Sequence, residues 1–131
     1  LPSANPPASI CNTDYDIAHV QWGKEWSLPT KEMQYELRTE CKWANVEING
    51  VKCCKAIGPN GNYIILPLGG CWLGTNTAVT YEGELGYYWT GDCWQSEGDY
   101  NYYVYYLKVN GQHNLVGCSR DFRCMVRPVT R

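Results

Sequence analysis

Eight cysteines stand at positions 11, 41, 53, 54, 71, 93, 118 and 124. An even number of thiols in a short chain invites a disulfide framework. Their spacing is irregular, however. Cys53 and Cys54 are neighbours, and a bridge between adjacent residues strains the peptide that joins them, so no pairing is assigned. The same side chains make a poor zinc site, because no pair of Cys-x-x-Cys motifs occurs and His19 and His113 are the only imidazoles. His19 falls in a helical stretch with no motif around it and reads as a surface or satisfied core histidine. His113 follows a turn signal, where it could contact a ligand.

Paired carboxylates are the next candidates. Asp92, Glu97 and Asp99 cluster, and two carboxylates held together can carry out hydrolysis. Gly91, Ser96 and Gly98 between them favour a solvated loop over an active site. No nucleophile elbow, His-Glu-x-x-His helix or phosphate-binding Gly-rich loop is present. The run Gly58-Pro59-Asn60-Gly61-Asn62 holds a Pro-Asn pair of the kind that cradles calcium in sugar-binding lectins. No acidic residue precedes Pro59 and no Trp-Asn-Asp follows, so the carboxylates of a calcium cage are missing and a tight turn is expected. No metal and no cofactor is assigned.

The elements that would position these groups can be read in order. Residues 1–13 read as a linker or boundary segment, with Pro2, Pro6 and Pro7, and residues 14–131 as one domain. Thr13 or Asp14 can cap a short helix through Ile17, Ala18 and Val20 that ends before Gly23. Thr30 can cap a second helix, with Glu32 in its first turn and Met33, Leu37 and Cys41 on one face. Asn49-Gly50 and Asn60-Gly61 divide the runs 42–48, 51–57 and 62–67 into a three-stranded meander. Residues 68–84 look irregular. Residues 86–90 read as a strand. So do residues 102–109, with Tyr103, Tyr105, Leu107 and Val109 on one face. Met125 to Arg127 reads as a final strand stopped by Pro128. The expected class is therefore α+β, loop-rich, with two helices flanking small twisted antiparallel sheets.

Composition narrows the function classes. A net charge of −2 gives no nucleic-acid footprint, and no apolar run approaches a transmembrane length. The chain holds 6 Trp and 11 Tyr against 1 Phe. Tyr and Trp combine apolar area with a polar handle and lose little entropy when fixed, which suits recognition surfaces. Part of the Trp set is expected in the core.

Several blocks resemble a known family in the right order. Asp16-Ile17-Ala18, Trp22-Gly23, Trp26-Ser27-Leu28-Pro29-Thr30 and Glu32 resemble the opening of the major paralogous domain proteins of rumen and gut bacteria. Asn49-Gly50-Val51, Gly58 to Asn62 and Ile65-Leu66-Pro67 resemble the middle of that family. Gly86-Tyr87-Tyr88-Trp89 and Val126-Arg127-Pro128-Val129 resemble its ending. The resemblance covers about residues 14 to 129. It implies a C-type-lectin-like fold of the subtype shared with formylglycine-generating enzymes, with an exposed binding face in the C-terminal half. The chain departs from the pattern at Ser27, at Thr90-Gly91, at Arg123-Cys124-Met125 and at Cys53, Cys54 and Cys71.

Domains of this kind serve as variable proteins of diversity-generating retroelements in gut bacteria and phages, where adenine-directed randomisation yields any residue except Met, Gln, Lys, Glu and Trp. The stretches His113 to Cys124 and Asp99 to Leu107 contain none of these five. On this resemblance Cys93, Cys118 and Cys124 are products of diversification and not bridge partners. The implied function is a non-enzymatic surface module that binds a protein or glycan ligand on a cell surface. It is expected to be extracellular or on a cell or virion surface, and to interact neither with nucleic acid nor by insertion into a membrane. The expected binding face comprises Asp92, Trp94, Asp99, Tyr100, Tyr102, His113, Asn114, Arg120, Asp121, Phe122 and Arg123. Two other readings compete. One is a relative of the copper-dependent formylglycine-generating oxidases, with Cys118 and Cys124 near the expected thiol pair. The other is a structural domain of a fimbria or phage tail.

Overall fold

The chain was analysed as a computed structural model, which describes residues 8–72, 78–95, 102–109, 114–119 and 123–130. Among these residues ten elements follow in order. They are α1 (Ile17–Trp22), β1 (Trp26–Ser27), α2 (Lys31–Glu40), β2 (Lys42–Ile48), β3 (Val51–Ile57), β4 (Tyr63–Pro67), β5 (Gly86–Gln95), β6 (Tyr102–Val109), β7 (Asn114–Ser119) and β8 (Val129–Thr130). Two three-stranded antiparallel sheets, β2-β3-β4 and β5-β6-β7, and the short pair β1-β8 make this an α+β domain with two helices and small antiparallel sheets.

The first helix is capped by Asp16, not by Thr13 or Asp14. Its carboxylate accepts the N–H groups of Ala18 (3.0 Å) and His19 (3.2 Å), which the first turn leaves without intrahelical partners. It also accepts from Asn12 (3.0 Å) and, twelve residues on, from Leu28 (2.9 Å). Asp16 is thus fully buried and satisfied by backbone from both sides of the helix. Thr13 turns back instead, its hydroxyl donating to the Ile10 carbonyl at 2.7 Å. The local pattern pointed to Thr13 or Asp14 and passed over Asp16. The long-range bond to Leu28 decides among them.

Thr30 caps α2, its Oγ1 accepting from Met33 N at 3.1 Å. The inward face of this helix differs from the expected apolar stripe. Met33 is 39% exposed and Cys41 only half-buried, while Gln34 is buried and Leu37 joins the core. The cause is polar. The Nε2 group of Gln34 donates to the carbonyls of Tyr88 (3.3 Å) and Trp89 (3.2 Å), so the helix sits on β5 through an amide as well as through methyl groups.

The meander forms as its turn chemistry dictates. Asn49 and Gly50 both take positive φ (51° and 80°), the conformation of a two-residue hairpin turn whose twist matches its strands. All seven residues of β2 then pair with β3, from Ile48↔Val51 to Lys42↔Ile57. The Gly58–Asn62 loop closes on itself, with Gly58 N donating to Asn62 O and Asn62 N to the Asn60 side chain.

Cys54, Leu66, Tyr88, Leu107 and Val109 form the core between the two larger sheets, with Leu37 and Trp43 packed against it. Cys53 and Cys54 are core thiols here. Their Sγ atoms donate to Val51 O and to Asn45 Oδ1. The C-terminal strand differs from expectation. Met125 makes a single parallel bridge to Tyr88, and the last strand is β8, beyond Pro128, where Ser27↔Val129 and Trp26↔Thr130 tie the two ends of the domain together. Proline has no N–H to give a ladder, so pairing resumes only after it.

Candidate functional site

The strand expected to end at Thr90 continues to Gln95, through a bulge between Trp89 and Cys93. Here three residues of β5 lie across from one residue of β6, Tyr105, outside the regular ladder. The Thr90 hydroxyl donates to Tyr105 O at 2.8 Å and accepts from Asp92 N at 3.1 Å. The Gly91 N–H reaches Pro29 O, and its carbonyl accepts from Ile10 N. A Cβ at Gly91 would run into the Cys11 sulfur, so only glycine fits the approach of the N-terminal segment. Asp92 is 8% exposed, and its Oδ2 accepts from Lys31 N at 2.6 Å, at the start of α2. One bulge therefore fastens the N-terminal segment, the entrance to α2 and the sheet.

Asp92 was expected on the binding face, in a solvated loop. Its carboxylate is buried and committed to the helix, so it acts as a brace. Gly91 and Asp92 mimicked a loop because a bulge uses the same residue types.

Beyond the bulge, β5 and β6 pair again at Cys93↔Val104, Trp94↔Tyr103 and Gln95↔Tyr102, and Tyr103 pairs onward with Ser119 of β7. The end of β5, the start of β6 and the end of β7 are thereby adjacent. Trp94 and Tyr102 belong to this end of the sheet. Asn114 does not. It pairs with Lys108, about 20 Å along β6 at roughly 3.3 Å per residue. Arg123 is exposed, is bridged to Trp72 through both backbone bonds, and carries its guanidinium 5.8 Å from the Trp72 ring centre. Asp99, Tyr100, His113, Arg120, Asp121 and Phe122 lie outside the described residues, as do Asn110 and Gly111, whose types signal a turn in the sequence.

Reactive chemistry finds little support in the groups around the bulge. The Cys11 thiol is pushed up from its ordinary value of 9.0, chiefly by burial and further by the negative charges of Asp92 and Asp16. A thiol so placed resists forming the nucleophilic thiolate. Cys41 is raised as well, by burial first and then by Glu36 and Glu40. Among the described residues no group of three or more His, Cys, Asp or Glu side chains could hold a metal ion, and no helix is long and apolar enough to cross a membrane.

Two cavities open elsewhere, and neither Asp92 nor Arg123 lines them. One, of about 440 Å³, is a wide cleft of mixed polarity whose lining includes Glu47, Lys52, Leu68 and Glu84. The other, of about 130 Å³, is apolar and lies beside α2, with Arg127 in its lining. The sequence reading missed this second cavity, because its walls come from five separate stretches of chain. Its one legible sign was a cation, Arg127, set between apolar Val126 and Val129.

No protein-family model, curated protein or solved structure matches the chain.

Proposed function

We propose that this domain is a non-enzymatic binding module with a C-type-lectin-like fold, whose recognition surface lies at the Trp94/Tyr102 end of the β5-β6-β7 sheet. The observation that carries the reading is the way this end is held. The strands meet through main-chain pairing, and the bulge just behind them is fixed by Thr90, Gly91 and Asp92, whose bonds run inward. Such a frame keeps its shape without help from the side chains that follow it. That is the requirement for a surface whose residues can be exchanged freely. The two stretches that lack Met, Gln, Lys, Glu and Trp include β6 from Tyr102 to Leu107 and β7, the strands that build this end.

In this reading the domain is a diversified variable protein of a gut bacterium or phage, displayed on a cell or virion surface, and Tyr and Trp supply contact area to a protein or glycan ligand. Deep sequencing of the gene across its source population tests it. The expected result is substitution concentrated between positions 94 and 124, at adenine-directed codons with a nearby template copy, and uniformity at Asp16, Thr90 and Asp92. A uniform sequence across 94–124 would leave a fixed adhesin in place of a diversified one.

A further inference from the structure

We propose that the apolar cavity beside α2 binds a small monocarboxylate with a compact hydrocarbon body. Met33 and Leu37 of α2, Ile64 of β4, Leu107 of β6 and Val129 of β8 contribute its hydrocarbon wall. At about 130 Å³ it approaches the size of apolar cavities, about 150 Å³, that take up a benzene ring. The side-chain donors in the wall other than Arg127 are committed, and the Oε1 of Gln34 is a buried acceptor with no hydrogen-bond partner among the described residues. The Gln34 amide N–H groups serve the Tyr88 and Trp89 carbonyls, and the Tyr88 hydroxyl donates to Pro67 O at 2.6 Å.

Arg127 is different. It is exposed, and no Asp or Glu among the described residues pairs with it. It lines the cavity together with Tyr88. Burial raises the Tyr88 phenol strongly, and the Arg127 guanidinium is the group that opposes that rise. A hydrocarbon chamber with one planar cation at its wall, paired with no carboxylate among the described residues, matches a ligand with one apolar end and one carboxylate, which a guanidinium can hold with two parallel bonds. An uncharged hydrocarbon would leave that cation unused. A dicarboxylate would bury a charge with no partner.

Titration of the intact chain with phenylacetate, followed by amide chemical shifts or calorimetry, tests the site. The expected result is saturable binding below about 10 mM, with shifts confined to α2, β4, the stretches of β5 and β6 around Tyr88 and Leu107, and residues 125–130. Phenylacetamide, equal in shape but neutral, should bind at least about tenfold more weakly, as should phenylacetate to Arg127→Gln, since each loses one charge-assisted pair. Arg127 is exposed, so this variant should keep the parent's near-ultraviolet dichroism. The amide comparison needs no variant at all. Equal binding of acid and amide, or no saturable binding, would overturn the proposal. Tighter binding by a peptide ending in Phe than by phenylacetate would overturn it too, by assigning the cavity to a chain terminus. The population sequence survey has no bearing on this site, so the two readings fail separately.

Discussion

The Asp16 carboxylate receives N–H groups from Asn12, Ala18, His19 and Leu28, and no side-chain cation stands among those partners. Asn at this position has a single acceptor oxygen and turns an NH₂ group toward backbone donors. Asp16→Asn should therefore lower unfolding stability by about 3 kcal/mol, read from urea denaturation, with an unchanged m-value. Asp92 makes one such bond, to Lys31 N, so Asp92→Ala should cost about 1 kcal/mol. A larger loss for Asp92 than for Asp16 would contradict this ranking. Cys11 gives a prediction in pH. Its folded-state value lies above the ordinary 9.0, so the contribution is complete below pH 9.0. It is lost as pH climbs toward the folded value, because the unfolded chain releases its proton first. Stability should thus decline above pH 9.0 less steeply in Cys11→Ser than in the parent. At this scale the sequence was only partly legible. The residue types announced caps and turns, as Thr30 and Asn49-Gly50 demonstrate. Asp16 was obscured by Thr13 and Asp14, and Asp92 by its loop-like neighbours, because what selects each is a partner 12 or 61 residues away.

Elements with local causes followed the sequence closely. The meander runs from Lys42 to Pro67 as its Asn-Gly signals require, and α1 stops at Gly23. The elements that departed were those governed by distant contacts. The β5 strand runs on through Thr90-Gly91-Asp92 because the bulge finds partners in residues 8–10 and 29–31. The face of α2 is set by Gln34 because β5 offers it carbonyls. The bulge carries its own test. Gly91→Ala should destabilise the domain by about 1–3 kcal/mol through the clash with Cys11. Cys11→Ala should be milder alone and should recover part of that loss in the double variant, a coupling measurable by a thermodynamic cycle. Simple additivity would mean that the two residues do not meet as described. Gly50→Ala, at positive φ with open space around it, should cost about 1 kcal/mol and leave the strand register unchanged in NMR cross-strand contacts.

The whole molecule divides into a braced interior and one sheet end that the brace supports. The class, α+β with two helices and small antiparallel sheets, was readable from hydrophobic period and turn residues, since both are local signals. The apolar cavity was not, because α2, β4, β5, β6 and the C-terminal segment converge on it only after folding. Nor was the split of the expected binding face, in which Trp94 and Tyr102 share one end of the sheet and Asn114 stands at the other.

A paired library measurement tests the division most directly. In one library positions 94, 102 and 123 and the stretches 96–101 and 120–122 are randomised. In the other, Asp16, Gln34, Thr90 and Asp92 are randomised. Both are displayed and sorted for resistance to protease. The account predicts that most members of the first library stay folded and yield binders to an unrelated protein target, while the second is nearly all degraded. Equal degradation of the two libraries would mean that the sheet end is part of what holds the domain together, and the case for an exchangeable binding face would fail.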